Sequence, residues 1–234
     1  MELSDVNALI TGGSAGLGKA TAKMIIEAGG SVVIAARGKE RLRETAEEIG
    51  AIPIQCDVSK EKEVIPLVEQ TIEELGNYNV LINNAGYGEF ARLVNLSASD
   101  MEAQLKTNTI GAMMVARESA RYFIQQSYGN IVNVSSSSGK RGSKGGTAYS
   151  ASKFALSGMT ECWRTELRPH NIRVMQINPS EVQTDFFENA GQGSRTFNET
   201  KLIADDIAQT ICSMLALPDR GFITETSVWA TNPK

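Results

Sequence analysis

Apolar runs of strand length alternate with amphipathic stretches of helix length along the whole 234-residue chain. "VNALI" (6–10) precedes a glycine-rich turn and a helical pattern from Leu17 to Ala28. "SVVIAA" (31–36) precedes "KERLRETAEEIG", and "AIPIQC" (51–56) precedes a helix over 60–75. "NVLIN" (79–83) leads to a long helical region from about Ala98 to Gln126. "GNIVNVS" (129–135), "IRVMQIN" (172–178) and "GFITETSVWA" (221–230) complete seven strands, with helical patterns at about 149–168 and 204–217 between them. Near-continuous apolar strands separated by helices predict a mostly parallel sheet covered on both faces. No internal repeat or low-complexity linker interrupts the pattern, so residues 1–234 are expected to form one doubly wound α/β domain. Such sheets take ligands at the carboxyl ends of their strands, near the point where strand order reverses.

Composition narrows the chemistry. A net charge of −4 and a pI near 5.2 argue against a nucleic-acid surface, which needs a basic stripe to neutralise phosphates. No apolar run approaches the ~20 residues of a membrane span, so no membrane partner is expected. The opening "MELSDVNALITGG" lacks the cationic and apolar regions of a signal peptide, which makes a reducing cytoplasm the expected location. Cys56, Cys162 and Cys212 form no CxxC pair and read as small apolar residues. With His170 the single histidine, a His-rich zinc site is excluded and no metal is expected. A Ser–His–Asp hydrolase would depend on that one residue, and no GxSxG elbow is present.

The first strand runs into "TGGSAGLG" (11–18). Gly12, Gly16 and Gly18 permit a tight turn, close approach of backbone to a pyrophosphate and close helix–strand packing. The following helix offers unpaired N–H groups and its positive dipole end to phosphates. "NNAG" (83–86) follows the fourth strand, "NIVNVSSSSG" (130–139) covers the fifth, and "YSASK" (149–153) and "INPSEVQTD" (177–185) come after it. In order and spacing these segments resemble the short-chain dehydrogenase/reductases, a family with a Rossmann-type fold, and they span residue 11 to about 185. The resemblance implies hydride transfer between a nicotinamide dinucleotide and a carbonyl or alcohol of a small molecule.

Tyr149 and Lys153 stand four apart, so they share one helix face and point into one site. A free tyrosine, with a pKa near 10, is too weak an acid for ready proton transfer at neutral pH. A lysine charge ~4 Å away at an effective dielectric of ~20 is worth about 4 kcal/mol, which is expected to bring the hydroxyl toward the useful range. By resemblance, Tyr149 donates a proton to a carbonyl oxygen in reduction, and Lys153 also holds the nicotinamide ribose. A hydroxyl near the same oxygen is needed to stabilise developing alkoxide charge. The family offset, about thirteen residues before the tyrosine, selects Ser136 from the run 135–138, with Ser135 and Ser137 pointing elsewhere or supporting the strand end. The family's fourth member, an asparagine in the long helix that anchors a relay water, falls on Asn108.

At the end of the second strand, Ala36 occupies the position where NAD-preferring relatives place an acid, and Arg37 follows. A guanidinium suits a 2′-phosphate, so NADP(H) is expected in preference to NAD(H), with Lys39 or Arg41 as possible helpers. Ala15, where many NADP-using relatives are basic, points the other way. Carried over position by position, the resemblance implies cofactor contacts from Gly12, Ser14, Gly16, Leu17, Gly18, Arg37, Asp57, Val58, Asn84, Ala85, Gly86, Tyr149, Lys153, Pro179, Val182 and Thr184. Ser180 and Glu181 replace a usual glycine and a small or apolar residue, and the last strand lacks the family's glycine pair. Residues 185–200 are expected to form the substrate lid, with Phe186 and Phe187 as an apolar wall or as ordinary buried aromatics. Lys140, Arg141 and Lys144 read as a solvated loop before an anion-attracting patch. The resemblance implies a homotetramer or homodimer joined through helices 98–126 and 149–168. A catalytically silent redox sensor is the alternative, although it would not need the acid–base set. A nucleotide-sugar epimerase or dehydratase would need more chain after Pro179 than the fifty-odd residues present.

Overall fold

The computed structural model describes residues 1–186, 190 and 196–232. Seven strands form one parallel sheet: β1 (Asn7–Thr11), β2 (Ser31–Ala36), β3 (Ile52–Gln55), β4 (Val80–Asn83), β5 (Gly129–Val134), β6 (Ile172–Pro179) and, last in the chain, β9 (Glu225–Val228). Their order is β3-β2-β1-β4-β5-β6-β9, so the chain reverses direction of growth between β1 and β4. A short parallel pair, β7 (Val182–Gln183) with β8 (Leu202–Ile203), stands apart from this sheet. All seven expected strands are present. The last is shorter than the apolar run 221–230, because residues 221–224 form no ladder and pairing with β6 begins only at Glu225.

Residues of the five inner strands are buried on both faces, which is why their apolar runs are near-continuous, whereas the edge strands β3 and β9 are partly exposed. Ala8 and Ile10 of β1 join one core and Leu9 joins the other. The first core packs against α1 (Gly16–Glu27), α2 (Lys39–Ile49) and α7 (Ala204–Ala216) through Ile25, Leu42 and Ile211. The second packs against α3 (Glu61–Leu75) and α5 (Ala112–Gln126) through Leu67, Val115 and Phe123. Two further helices, α4 (Ala98–Leu105) and α6 (Thr147–Leu167), complete the layers.

The long helical region over 98–126 is interrupted. A π-helical segment, Lys106–Gly111, lies between α4 and α5 and carries Asn108. An inserted π turn shifts every later side chain around the axis and leaves local backbone groups to find other partners. Here Thr109 Oγ1 donates to the carbonyl of Ser152 at 3.1 Å, docking the segment on α6. Asn108 is thereby turned inward and is 1% exposed.

Candidate active site

The carboxyl ends of β1, β4, β5 and β6 open onto one cavity of ≈ 390 Å³. Its walls include Gly12, Gly16 and Leu17 after β1, and Asn84 and Gly86 after β4. Ser135–Ser138 after β5, Tyr149 and Lys153 on α6, and Pro179, Val182 and Thr184 after β6 also line it, whereas Asn108 does not. The sequence therefore brought residues separated by up to 172 positions to one site.

Thr11, which sequence reasoning passed over, organises the cofactor side. Its hydroxyl accepts from the backbone N–H of both Asn84 and Ala85 at 3.1 Å. Asn84 Nδ2 donates back to the carbonyls of Thr11 and Gly12 at 3.0 and 3.1 Å. These bonds lash the glycine turn to the "NNAG" segment. Gly12 sits at φ +68 and Gly16 at φ +51, in the left-handed region that favours glycine. A Cβ on Gly18 would collide with the Gly12 carbonyl and lie 2.6 Å from Asn84 Nδ2. Ala15, the residue before α1, supplies no side-chain cap, so the first N–H groups of that helix face the cavity without one. A glycine cradle beneath an uncapped helix N-terminus fits the pyrophosphate of a dinucleotide.

Ser14, Gly18, Arg37, Asp57, Val58 and Ala85 do not line the cavity itself. Ser14 offers its carbonyl to Thr45 Oγ1 at 3.0 Å, which ties the loop to α2. Val58 packs beneath the π segment against Gly111. Arg37 is exposed beyond β2, and its charge reaches Asp57 and Tyr87. Desolvation works against the Asp57 carboxylate, but hydrogen bonds from Ser59 and the charges of Lys60 and Arg37 hold it below the usual carboxylate range. Arg41 instead pairs with Asp185 at 2.7 Å.

On the opposite side, Tyr149 and Ser136 share the cavity wall, and the Ser136 hydroxyl acts to lower the pKa of the tyrosine. Ser136 Oγ also accepts from the N–H of Ser138 at 3.1 Å, which fixes its rotamer at the start of a 3₁₀ turn. Ser135 turns away toward the Lys153 carbonyl and Ser157, at 3.4 Å from each. All four serines, 135 to 138, nevertheless line the cavity. Lys153 Nζ donates to the carbonyl of Val134 at 2.9 Å and stands 5.8 Å from the centre of the Tyr149 ring. Asn108 Nδ2 donates to the Tyr87 carbonyl at 2.8 Å and to Ser152 Oγ at 3.0 Å, while its Oδ1 accepts from Tyr87 N–H at 3.0 Å. A Cβ placed on Gly86 would lie 3.1 Å from Asn108 Oδ1 and 3.6 Å from Lys153 Nζ, so the two polar ends meet around that glycine.

The electrostatics reverse one expectation. Burial pushes Tyr149 up to about 12, against the opposing pull of the Ser136 hydroxyl. Burial also brings Lys153 down to about 8. In this site desolvation outweighs the lysine's pull on the hydroxyl, because the ammonium faces the strand carbonyl and the ring rather than the phenolic oxygen.

Residues 140–144 are exposed, as expected of a solvated loop, and two of their cations have partners. Lys140 pairs with Glu225 at 2.8 Å, and the Arg141 guanidinium lies 4.9 Å over the Trp229 ring. Glu225 Oε1 also accepts from Asn178 and Gln176 at 2.7 and 3.1 Å, and Gln176 reaches Ser157 at 3.0 Å. Glu181 lines the cavity and pairs with Lys201 at 2.7 Å. Of the expected lid, Asp185 and Phe186 line the cavity, and Asn198 is fastened to Gln183. Phe187 and most of 187–195 lie outside the described residues.

A sequence profile for the short chain dehydrogenases matches residues 6–195. The chain belongs to this family. It is 35% identical over 185 residues to a 3-oxoacyl-[acyl-carrier-protein] reductase of Bos taurus, covering 78% of each chain. It is 31% identical over 217 residues to carbonyl reductase family member 4 of Xenopus tropicalis, covering 89% of this chain and 90% of that one. Among solved structures, a closed serine dehydrogenase complexed with NADP+ superposes with a TM-score of 0.88 at 26% identity, over 94% of this chain and 93% of that one. The chain is an oxidoreductase of this family, and its parallel sheet is the Rossmann-type sheet that its sequence pattern predicted. No helix among the described residues is long and apolar enough to cross a membrane.

Proposed function

We propose that the protein is an NADP-dependent oxidoreductase that interconverts a ketone or aldehyde with the corresponding alcohol. The observation that carries this reading is the convergence of Tyr149, Ser136 and Lys153 beside a glycine cradle in one cavity, with Asn108 buried behind Gly86. The cradle residues Gly12, Gly16, Leu17, Asn84 and Gly86 would hold the dinucleotide, with Pro179, Val182 and Thr184 along its nicotinamide half. Bound there, the nicotinamide supplies a hydride, and with it both electrons, to the carbonyl carbon.

Tyr149 completes the balance by giving its hydroxyl proton to the carbonyl oxygen as the C=O bond becomes C–OH. A tyrosine pushed up to about 12 remains protonated at neutral pH, which suits the reductive direction. Ser136 donates to the same oxygen and disperses the charge that develops there. The tyrosine recovers its proton along the polar path that starts at Lys153 and Asn108. Arg37 selects the 2′-phosphate, in keeping with the absence of a carboxylate at Ala36 and with the NADP+ held by the similar serine dehydrogenase. Ile110, Ile124 and Phe154 are exposed apolar residues on the 98–126 and 147–167 helices, which supports assembly into a homodimer or homotetramer through those faces.

The test is consumption of NADPH or NADH, followed by absorbance, with aldehydes, ketones, diketones and 3-oxoacyl thioesters. Turnover with NADPH that exceeds turnover with NADH supports the reading. Tight NADPH binding with no turnover on any carbonyl would favour the silent sensor instead.

A further inference from the structure

Two phenylalanines outside the acid–base set close over Tyr149. The Phe90 ring, from the loop after β4, is 5.6 Å from the tyrosine ring at an interplanar angle of 51°. The Phe186 ring, from the segment after β7, is 5.5 Å away at 56°. Both rings are half-buried and line the cavity. Their tips converge at Gly88, where a Cβ would come within 2.8 Å of Phe90 and 2.7 Å of Phe186. The absence of a side chain there allows the two rings to approach each other. The result is a three-ring wall built from three separate parts of the chain, directly beside the proposed proton donor.

The charges around this wall are already paired off. Among the described lining residues Lys153 is the single cation, and its ammonium is committed to the Val134 carbonyl. Glu181 and Asp185 place carboxylates on the rim, paired at 2.7 Å with Lys201 and Arg41 respectively. Lys140 and Arg141, the nearest other cations in sequence to Ser136, are engaged with Glu225 and Trp229. A carboxylate next to the reacting carbonyl would find the cations around the cleft, Lys153, Lys201 and Arg41, already engaged. An aromatic group would meet tilted ring faces, a geometry that adds about 0.5–1.5 kcal/mol beyond area burial.

We propose that Phe90 and Phe186 are specificity-determining residues, and that the cleft takes uncharged ketones bearing a flat aromatic substituent on the carbonyl carbon. This inference rests on the reductase reading above. Two matched pairs test it through kcat/KM with NADPH: acetophenone against cyclohexyl methyl ketone, and methyl phenylglyoxylate against phenylglyoxylate. Diacetyl serves as a small reference carbonyl. Acetophenone is the less electrophilic ketone of its pair, so a preference for it must come from the protein. The expected result is a preference for acetophenone of roughly fivefold, and for the ester over its acid of about tenfold or more beyond the ratio that borohydride shows for the same pair. Phe90→Leu and Phe186→Leu, made separately, should each move the acetophenone to cyclohexyl ratio toward one, mainly through KM. An unchanged ratio in both variants, or an acid reduced as well as its ester, overturns the proposal. Diacetyl reduction without an aromatic preference sinks this inference and leaves the reductase reading standing. No reduction of any probe sinks both.

Discussion

Replacing Lys153 by methionine should change how stability depends on pH, in a direction set by the geometry of the site. The lysine is fully buried, and desolvation brings it from the ordinary value of 10.5 down to about 8. Below pH 8 the native protein carries a charge that its surroundings disfavour. At ~1.4 kcal/mol per decade, that costs the fold about 3 kcal/mol at neutral pH. Between the two values the unfolded chain keeps a proton that the native site releases. The unfolded state then binds more protons, so stability rises with pH. About 2 kcal/mol of the cost is relieved between about pH 7 and 9.5.

The methionine variant lacks this rise. It also leaves the Val134 carbonyl without its donor, costing about 1–3 kcal/mol, but equally at both pH values. The thiols of Cys56 and Cys212, pushed up by burial to about 12 and about 11, act in the opposite sense at alkaline pH and are common to both proteins. Urea unfolding of cofactor-free wild type and Lys153→Met at the two pH values isolates the effect. The stability difference should move by about 2 kcal/mol in favour of the wild type on going from about pH 7 to 9.5. Parallel pH dependences would refute the claim that burial, rather than the tyrosine hydroxyl, controls this lysine.

Three further outcomes are expected. Arg37→Ser should weaken NADPH binding by about 1.5–3 kcal/mol, roughly ten- to hundredfold in Kd, with little change for NADH, as measured by fluorescence titration. Gly18→Ala drives a methyl group into the Gly12 carbonyl and the Asn84 amide, so calorimetry should find binding of both dinucleotides weakened and Tm lowered, for a strain of about 1–3 kcal/mol. Ser152→Ala removes the hydroxyl that joins the Tyr149 carbonyl to Asn108 Nδ2. Its kcat should fall severalfold with KM for NADPH nearly unchanged, and unfolding should show about 1–2 kcal/mol of lost stability.

The five inner strands were legible because they are buried on both faces and read as near-continuous apolar runs, while β3 and β9, partly exposed at the sheet edges, were placed by their position between helical stretches. The shared placement of Tyr149 and Lys153 was legible because i and i+4 lie on one helix face, whereas Ser136 was singled out by the family offset alone. The π segment was not legible, since one extra residue in a turn barely disturbs the apolar pattern of 98–126. It nevertheless decides that Asn108 points inward. Thr11 gave a weak signal, a lone threonine at a strand end, and its two accepted N–H bonds depend on Asn84 and Ala85, more than seventy residues on. The raised tyrosine was illegible for a similar reason. Its desolvation comes partly from Phe90 and Phe186, which lie far from "YSASK" in sequence and meet it only in the fold.

The central claim is that Tyr149 gives the proton while a hydride reaches the carbonyl carbon. It is tested most directly by following a single turnover of NADPH deuterated at the transferable position, using diacetyl, in wild type and in Tyr149→Phe. The account predicts deuterium at the carbinol carbon of the wild-type product. It also predicts a rate about 10²–10⁴-fold lower in the variant, whose NADPH affinity is retained. Equal rates in the two proteins, or a reduced product without deuterium at that carbon, would contradict it.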